Sequence, residues 1–160
     1  MCSELVQKNM EIVGGVKYDE RERKLAAEVA KTFGAGDTIL VHAEKIRPLG
    51  KLVKEGSGGS SDVGDVSWSV PLASFGTATF VPGAPGHSWQ NVAVDGSTIG
   101  TKGLINAAKI FSLTAIDLFN NPSLLKQAKA EFDKVRGADF KYESLLGDRK
   151  PALDYRKASK

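Results

Sequence analysis

The chain has 160 residues, of which 41% are hydrophobic and 26% are charged, and its formal net charge is +3. This length suits one domain and is short for two, and the composition is that of a folded protein rather than a disordered one. Basic and acidic residues are interspersed through most of the chain, which argues against a nucleic-acid partner.

The sequence also argues against a membrane protein and against a protein stabilised by disulfides or a cysteine metal site. No apolar run approaches the roughly 20 residues that cross a bilayer, and no leader peptide is recognised, so we expect no membrane partner and a cytoplasmic location. The single cysteine, Cys2, leaves no internal disulfide and no Cys-x-x-Cys metal knuckle.

Helix signals organise the first part of the chain. Ser3 is a candidate cap for a helix that ends in a Gly-Gly pair. Asp19 and Glu22 form a capping-box pattern for a second helix, which we expect to stop at Gly34. The stretch DTILVHAEKI, residues 37–46, is then typical of a short strand.

The second part combines a predicted strand with the strongest helix. Alternating residues in FGTATFVP, residues 75–82, predict a buried strand. A long helix is expected from Ser97 or Thr98. Its apolar stripe comprises Leu104, Ala108, Phe111, Ala115 and Leu118, and the face is widened by Ala107, Ile110, Leu113 and Thr114. A last helix is predicted with Asn121 as its cap, Pro122 at its first position and Gly137 as its stop.

This order predicts an α/β fold with a thin sheet. Two or three strands make a poor sheet, and a helix that is apolar around most of its circumference needs more partner surface than this chain provides. We therefore expect residues 1–150 to be part of a larger domain. Residues 151–160 are expected to form a basic C-terminal tail.

The two histidines differ in their surroundings. His42 lies in an apolar run, where an ordinary buried or edge histidine is the simplest interpretation. His87 lies in VPGAPGHSWQ, a loop beyond the predicted strand, and loops in that position often carry the chemistry of α/β folds. Local sequence alone leaves a structural and a functional role for His87 equally open.

An acidic loop offers a second group of candidates. Asp62 and Asp65 in GSSDVGDVSW could cap turns, or they could be active-site carboxylates. Carboxylates with imidazole are common ligands of zinc or manganese, but two carboxylates and one histidine do not define a metal by spacing. Trp68 and Trp89 are interpreted as core or pocket-wall aromatic residues.

Three segments together resemble one known family. GGSSDVGDVSW, PGAPGHSWQ and GSTIGTKGLINAAKIFSLTAIDL, in this order, are similar to the C-terminal part of the metal-dependent amidohydrolases related to aminoacylase, hippuricase and carboxypeptidase G. Within that family they look most like the branch called aminobenzoyl-glutamate utilisation protein B. The resemblance implies the C-terminal portion of an α/β/α zinc-peptidase-like catalytic domain, without its lid domain and N-terminal half.

The same resemblance implies roles for individual residues. His87 matches a metal ligand of the family, and the acidic loop matches a wall of the cleft, so Ser61, Asp62, Asp65, Ser67 and Trp89 would line the substrate site. The implied cofactor is a divalent metal, zinc or manganese, in the complete enzyme. The implied reaction is attack of a metal-activated water on the amide bond of an N-acyl amino acid such as p-aminobenzoyl-glutamate.

Other family motifs are missing from this sequence. It contains neither a His-x-Cys-Gly-His-Asp motif nor an adjacent Glu-Glu pair. We therefore expect the isolated chain to be inactive, to contain no catalytic residue of its own and to bind no metal alone. Its partner would be the missing N-terminal half or another protein chain, and the alternative is a non-catalytic interaction module.

Overall fold

Helices and their connections make up the part of the chain that the computed structural model describes, residues 1–35, 40, 44–50 and 61–153. In chain order the helices of that part are α1 (Cys2–Val13), α2 (Glu20–Lys31), α3 (Val63–Ser67), α4 (Trp89–Asp95), α5 (Thr98–Asn120) and α6 (Pro122–Arg136). None of these helices is long and apolar enough to span a bilayer.

The expected α/β fold is wrong, because the described residues form helices and no β-strand. Residues 75–82 were expected to form a buried strand. They are non-helical, and no neighbouring strand pairs with them in the described part of the chain. Leu40, within the other predicted strand, is helical, and the rest of that prediction from 37 to 43, with His42, lies outside the described residues.

Local capping signals set several helix ends. Asp19 and Glu22 form the predicted capping box, with Asp19 Oδ1 accepting from the Glu22 amide at 2.9 Å and Glu22 Oε2 accepting from the Asp19 amide at 2.7 Å. Ser97 caps α5 by accepting from the Ile99 amide at 3.1 Å, and α6 begins at Pro122 as predicted. The prediction that Ser3 caps the first helix is wrong, since α1 already begins at Cys2.

The core is small and lies where α2, α4 and the start of α5 meet. Its buried side chains are Val16, Tyr18, Ala26, Val29, Ala30, Leu40, Val81, Val94 and Ile99. Val81 lies near the end of the non-helical residues 75–82 and is 1% exposed, so it fixes that segment to the helices. The expected basic tail cannot be compared beyond residue 153, because residues 154–160 lie outside the described residues.

Helix α5 is buried along a stripe that shares Ile110 with the predicted apolar face but does not contain the residues at the centre of that face. Its buried residues are Ile99, Gly100, Gly103 and Ile110, and this side faces α1 and the non-helical segment. Leu104 and Phe111, which belong to the predicted apolar stripe, are 67% and 69% exposed. Because both sides of α5 are apolar, periodicity could not decide which side packs.

Candidate functional site

The His87 loop has an unusual backbone. His87 has a φ of 53°, the only left-handed conformation at a non-glycine position in the described residues. Histidine adopts this conformation more often than most residues, but the conformation still costs energy, so the surrounding structure must impose it. The His87 side chain is exposed, so the loop presents an imidazole to the surface rather than burying it.

Hydrogen bonds on both sides of His87 hold this loop. The side chain of Asn91 donates from Nδ2 to the Pro85 carbonyl at 3.0 Å. The backbone N–H of Asn91 donates to Oγ of Ser88, which caps α4. Further along α4, Gln90 donates to Thr32 Oγ1 at 3.3 Å and Val94 is fully buried. The loop therefore rests on a helix that is itself attached to the core.

The acidic loop forms the short helix α3. Asp62 occupies the N-cap position just before α3 but makes no side-chain cap hydrogen bond, and Ser67 Oγ donates to the Gly64 carbonyl at 2.6 Å. No residue of α3 is buried, and Ser61, Asp62 and Asp65 are all exposed. These side chains are therefore accessible to a ligand.

Aromatic residues lie beside α3. Trp68 stacks on Phe140 with ring centroids 4.7 Å apart and an angle of 17° between the planes. Tyr142 shares a hydrogen bond with Asp65, which raises the pKa of Tyr142 above its ordinary value. Trp68 and Trp89 are 48% and 61% exposed, so neither is a core residue, in contrast to one of the two sequence interpretations.

No cluster of metal-binding side chains is found among the residues that the structure describes. Within the described residues there is no group of three histidine, cysteine, aspartate or glutamate side chains that could hold a metal ion. Neither Asp62 nor Asp65 makes a hydrogen bond or ion pair with His87 in that part of the structure. His87 therefore has no second metal-binding side chain beside it in the α3 turn.

A groove lies apart from these candidate residues. It has a volume of about 510 Å³ and lies between α1, residues 45–50 and the non-helical segment 74–80. Neither His87 nor any residue of α3 lines it. Sequence analysis missed this groove, because its walls come from α1, residues 45–50, the segment 74–80 and α5, which are distant along the chain. The alternating segment was its one sequence signal.

Comparison with known proteins adds evidence on the hydrolase resemblance. The chain is 35% identical over 115 residues to a subunit of the p-aminobenzoyl-glutamate hydrolase of Escherichia coli (strain K12). This chain is similar to part of a hydrolase subunit. The match covers 72% of this chain and 20% of the relative, so the chain spans about a fifth of the relative's length.

The other two comparisons found no match. No protein-family model matches the chain, and no solved structure matches it. The similarity to the hydrolase subunit supports the resemblance at the level of a related hydrolase, and that resemblance therefore rests on sequence rather than on fold.

Proposed function

We propose that this chain is a segment of an amide hydrolase related to p-aminobenzoyl-glutamate hydrolase and that it works only together with residues outside the chain. The 35% identity over 115 residues carries this proposal. In the complete enzyme, water would add across the amide bond, releasing p-aminobenzoate and glutamate from p-aminobenzoyl-glutamate.

Three observations support a shared rather than a self-contained site. The chain spans about a fifth of its relative, and that relative is named as a subunit. The described residues include no set of three metal-binding side chains. The exposed, conformationally constrained His87 is the side chain best placed to contribute one donor to a centre completed by another polypeptide, zinc or manganese being the ions that suit it.

The residues around α3 have a different proposed role. Ser61, Asp62, Asp65 and Ser67 lie on or next to one exposed turn, and Trp68 and Tyr142 add an aromatic surface beside it. We propose that this turn and Trp89 line the substrate side of the shared cleft. An aromatic surface next to polar groups suits a substrate that carries both an aryl ring and an amino acid.

The test first sequences the reading frame upstream of codon 1 to see whether it encodes the His-x-Cys-Gly-His-Asp and Glu-Glu motifs. If it does, the protein that it encodes is mixed with this chain. Release of p-aminobenzoate is measured for each chain alone and for the mixture. We expect activity only in the mixture. Activity of this chain alone, or an inactive mixture of two folded chains that bind each other, would contradict the proposal.

Two substitutions examine His87 without disturbing its backbone. Glycine and asparagine both tolerate a left-handed conformation, so His87→Gly and His87→Asn should fold normally. We expect each to reduce activity of the mixture by at least about a hundredfold and to release bound metal, because losing even a hydrogen-bond partner of a metal ligand costs about 10- to 100-fold. The matched control is His42→Asn, which removes the other imidazole and should leave activity within about twofold.

A non-catalytic interaction module is the second candidate, because α5 exposes an apolar stripe. Leu104, Phe111 and Phe119 are 67%, 69% and 84% exposed, which is typical of a surface that another molecule covers. If the upstream frame encodes neither motif, this second function is the one that the structure supports.

A further inference from the structure

The non-helical segment before Val81 has an open backbone edge. Burial alternates from residue to residue between 71 and 77, which is the two-residue period of an extended chain. No backbone N–H from Leu72 to Phe80 donates a hydrogen bond to any residue that the structure describes. An extended chain with unpaired backbone groups is a template on which a second extended chain can bind.

The segment is held firmly from its other side. Thr77 Oγ1 donates to the Gly103 carbonyl of α5 at 2.9 Å, and Tyr18 Oη donates to the Ala78 carbonyl at 3.3 Å. These bonds fix the position of the segment before any ligand binds. A preorganised edge loses less conformational freedom on binding than a mobile one.

The groove of about 510 Å³ runs along this same segment and is largely apolar. Its walls include Val6 and Met10 of α1, Ile46 and Leu49 from the facing loop, and Phe75 and Phe80 of the segment itself. Such walls suit alternate apolar side chains of a bound strand, whose other side chains would point outward.

The charge of the groove indicates which charge its ligand should carry. Lys45 and Arg47 line it, and the part of its lining that the structure describes contains no aspartate or glutamate. Neither residue forms an ion pair with any acidic side chain in the described part of the chain. The groove is therefore complementary to a peptide with acidic residues.

We propose that this groove binds an extended, alternating apolar peptide segment with acidic residues, which a separate polypeptide contributes and which pairs through its backbone with residues 74–80. This mode is the addition of a strand to an open edge, in which backbone hydrogen bonds supply affinity and alternate side chains supply specificity. The proposal concerns binding alone and does not depend on the hydrolase activity.

The test uses the full chain and a capped heptapeptide, Glu-Val-Thr-Val-Thr-Val-Glu. Amide chemical shifts are followed by NMR during titration with the peptide. We expect the largest changes at residues 74–80 and along the groove side of α1. Absence of changes at millimolar peptide, or changes confined to the exposed side of α5, would overturn the proposal.

Two modified peptides separate the backbone contribution from the charge contribution. Methylating alternate backbone nitrogens on the pairing edge removes the hydrogen bonds and should abolish binding. Replacing both glutamates with lysine should weaken binding about tenfold, because attraction to the two cations becomes repulsion. Unchanged binding of the N-methylated peptide would exclude backbone pairing.

Matched protein variants locate the charges. Lys45→Glu/Arg47→Glu should weaken binding of the acidic peptide about tenfold and should strengthen binding of the lysine peptide. Lys109→Glu makes the same type of change at an exposed position of α5 outside the groove and should alter neither affinity. Equal effects of the groove variant and the α5 variant would contradict the proposed site.

Hydrogen exchange and mass measurements test whether the groove is already occupied by another part of this chain or by a second copy of it. In the free chain, the amides of residues 72–80 should exchange rapidly, and light scattering should give the mass of a monomer. Protected amides in a monomer would show that the edge is already paired within the chain. Protected amides in a dimer would identify a second copy as the occupant, and either result would overturn the proposal.

Discussion

Lys102 Nζ lies 2.6 Å from Glu22 Oε2, and this ion pair joins α5 to the first turn of α2. Glu22 is only 3% exposed, and the same ammonium donates to the Lys17 carbonyl at 3.1 Å. Burial by itself would raise the pKa of Glu22, but the hydrogen bonds from Lys102 and from the Asp19 amide outweigh burial and lower that pKa.

The first prediction concerns this ion pair. Lys102→Met should lower the free energy of unfolding by about 2 kcal/mol, since it leaves a buried carboxylate without its cation; the half-exposed position of Lys102 keeps the loss below that of a fully buried pair. The matched control is Lys129→Met, which removes an exposed pair with Asp133 within α6 and should cost less than about 0.5 kcal/mol. Urea unfolding at neutral pH measures both values, and similar losses would contradict the assigned role.

The lowered pKa of Glu22 also predicts an acid dependence. A carboxyl group with a lower pKa in the folded state stabilises the fold above its unfolded value of 4.5, and this contribution disappears as the pH falls below that value. The stability difference between the parent chain and Glu22→Gln should therefore shrink from pH 6 to pH 3. A difference that stays constant over this range would show that ionisation of Glu22 does not matter.

The second prediction concerns the close approach of α5 to the segment before Val81. A Cβ atom at Gly103 would lie 2.7 Å from Thr79 Cγ2 and even closer to the Ala78 carbonyl oxygen, so backbone would have to move. Gly103→Ala should therefore destabilise the chain by about 1–3 kcal/mol. Gly64→Ala in α3 meets no atom within 4 Å and should be neutral or slightly stabilising by thermal unfolding.

The third prediction concerns a buried amide between α1 and α5. Asn9 is fully buried and donates from Nδ2 to Thr114 Oγ1 at 3.1 Å and to Asp117 Oδ2 at 3.0 Å. Asn9→Asp would place two carboxylates together, and we expect a loss of about 3 kcal/mol at pH 7 that is partly recovered at pH 3.

The exchanged pair provides the control for that substitution. Asn9→Asp/Asp117→Asn restores one amide and one carboxylate between the same helices. It should recover most of the lost stability at pH 7 in urea unfolding. If the double variant is as unstable as Asn9→Asp alone, charge repulsion is not the cause of the loss.

The fourth prediction is spectroscopic. Burial, followed by the negative charges of Glu22 and Glu44, raises the pKa of Tyr18 to about 12. Phenolate absorbance should show one tyrosine that titrates near that value, and Tyr18→Phe should remove this step. Because the folded pKa exceeds the ordinary value of 10, stability should fall between pH 10 and pH 12, and a Tyr18 that titrates at pH 10 would contradict its buried position.

Features encoded within a few residues were predictable from sequence. The capping box of Asp19 and Glu22 and the Asn121–Pro122 start of α6 depend on neighbours along the chain, and both are present. A β-strand depends on a neighbouring strand for its hydrogen bonds, so the alternating pattern of residues 75–82 could not by itself produce a strand. The buried side of α5 was unpredictable because both of its sides are apolar.

The candidate site likewise combines features that short motifs predicted with contacts that depend on the fold. The loop of His87 and the exposed turn of Asp62 and Asp65 were found from glycine, proline and acidic residues in short motifs. The stacking of Trp68 on Phe140 and the hydrogen bond between Asp65 and Tyr142 join residues more than 70 positions apart. No local pattern encodes such contacts, so only the folded chain reveals them.

The exposed side of α5 has a consequence for the life of the chain inside a cell. Phe111 and Phe119 are 69% and 84% exposed to solvent. Chaperones and proteases bind such exposed apolar surfaces, which are typical of incompletely folded chains. If another molecule covers this side, chains made in excess of that molecule would be removed first. The abundance of the chain would then follow the supply of its counterpart, with no dedicated regulator.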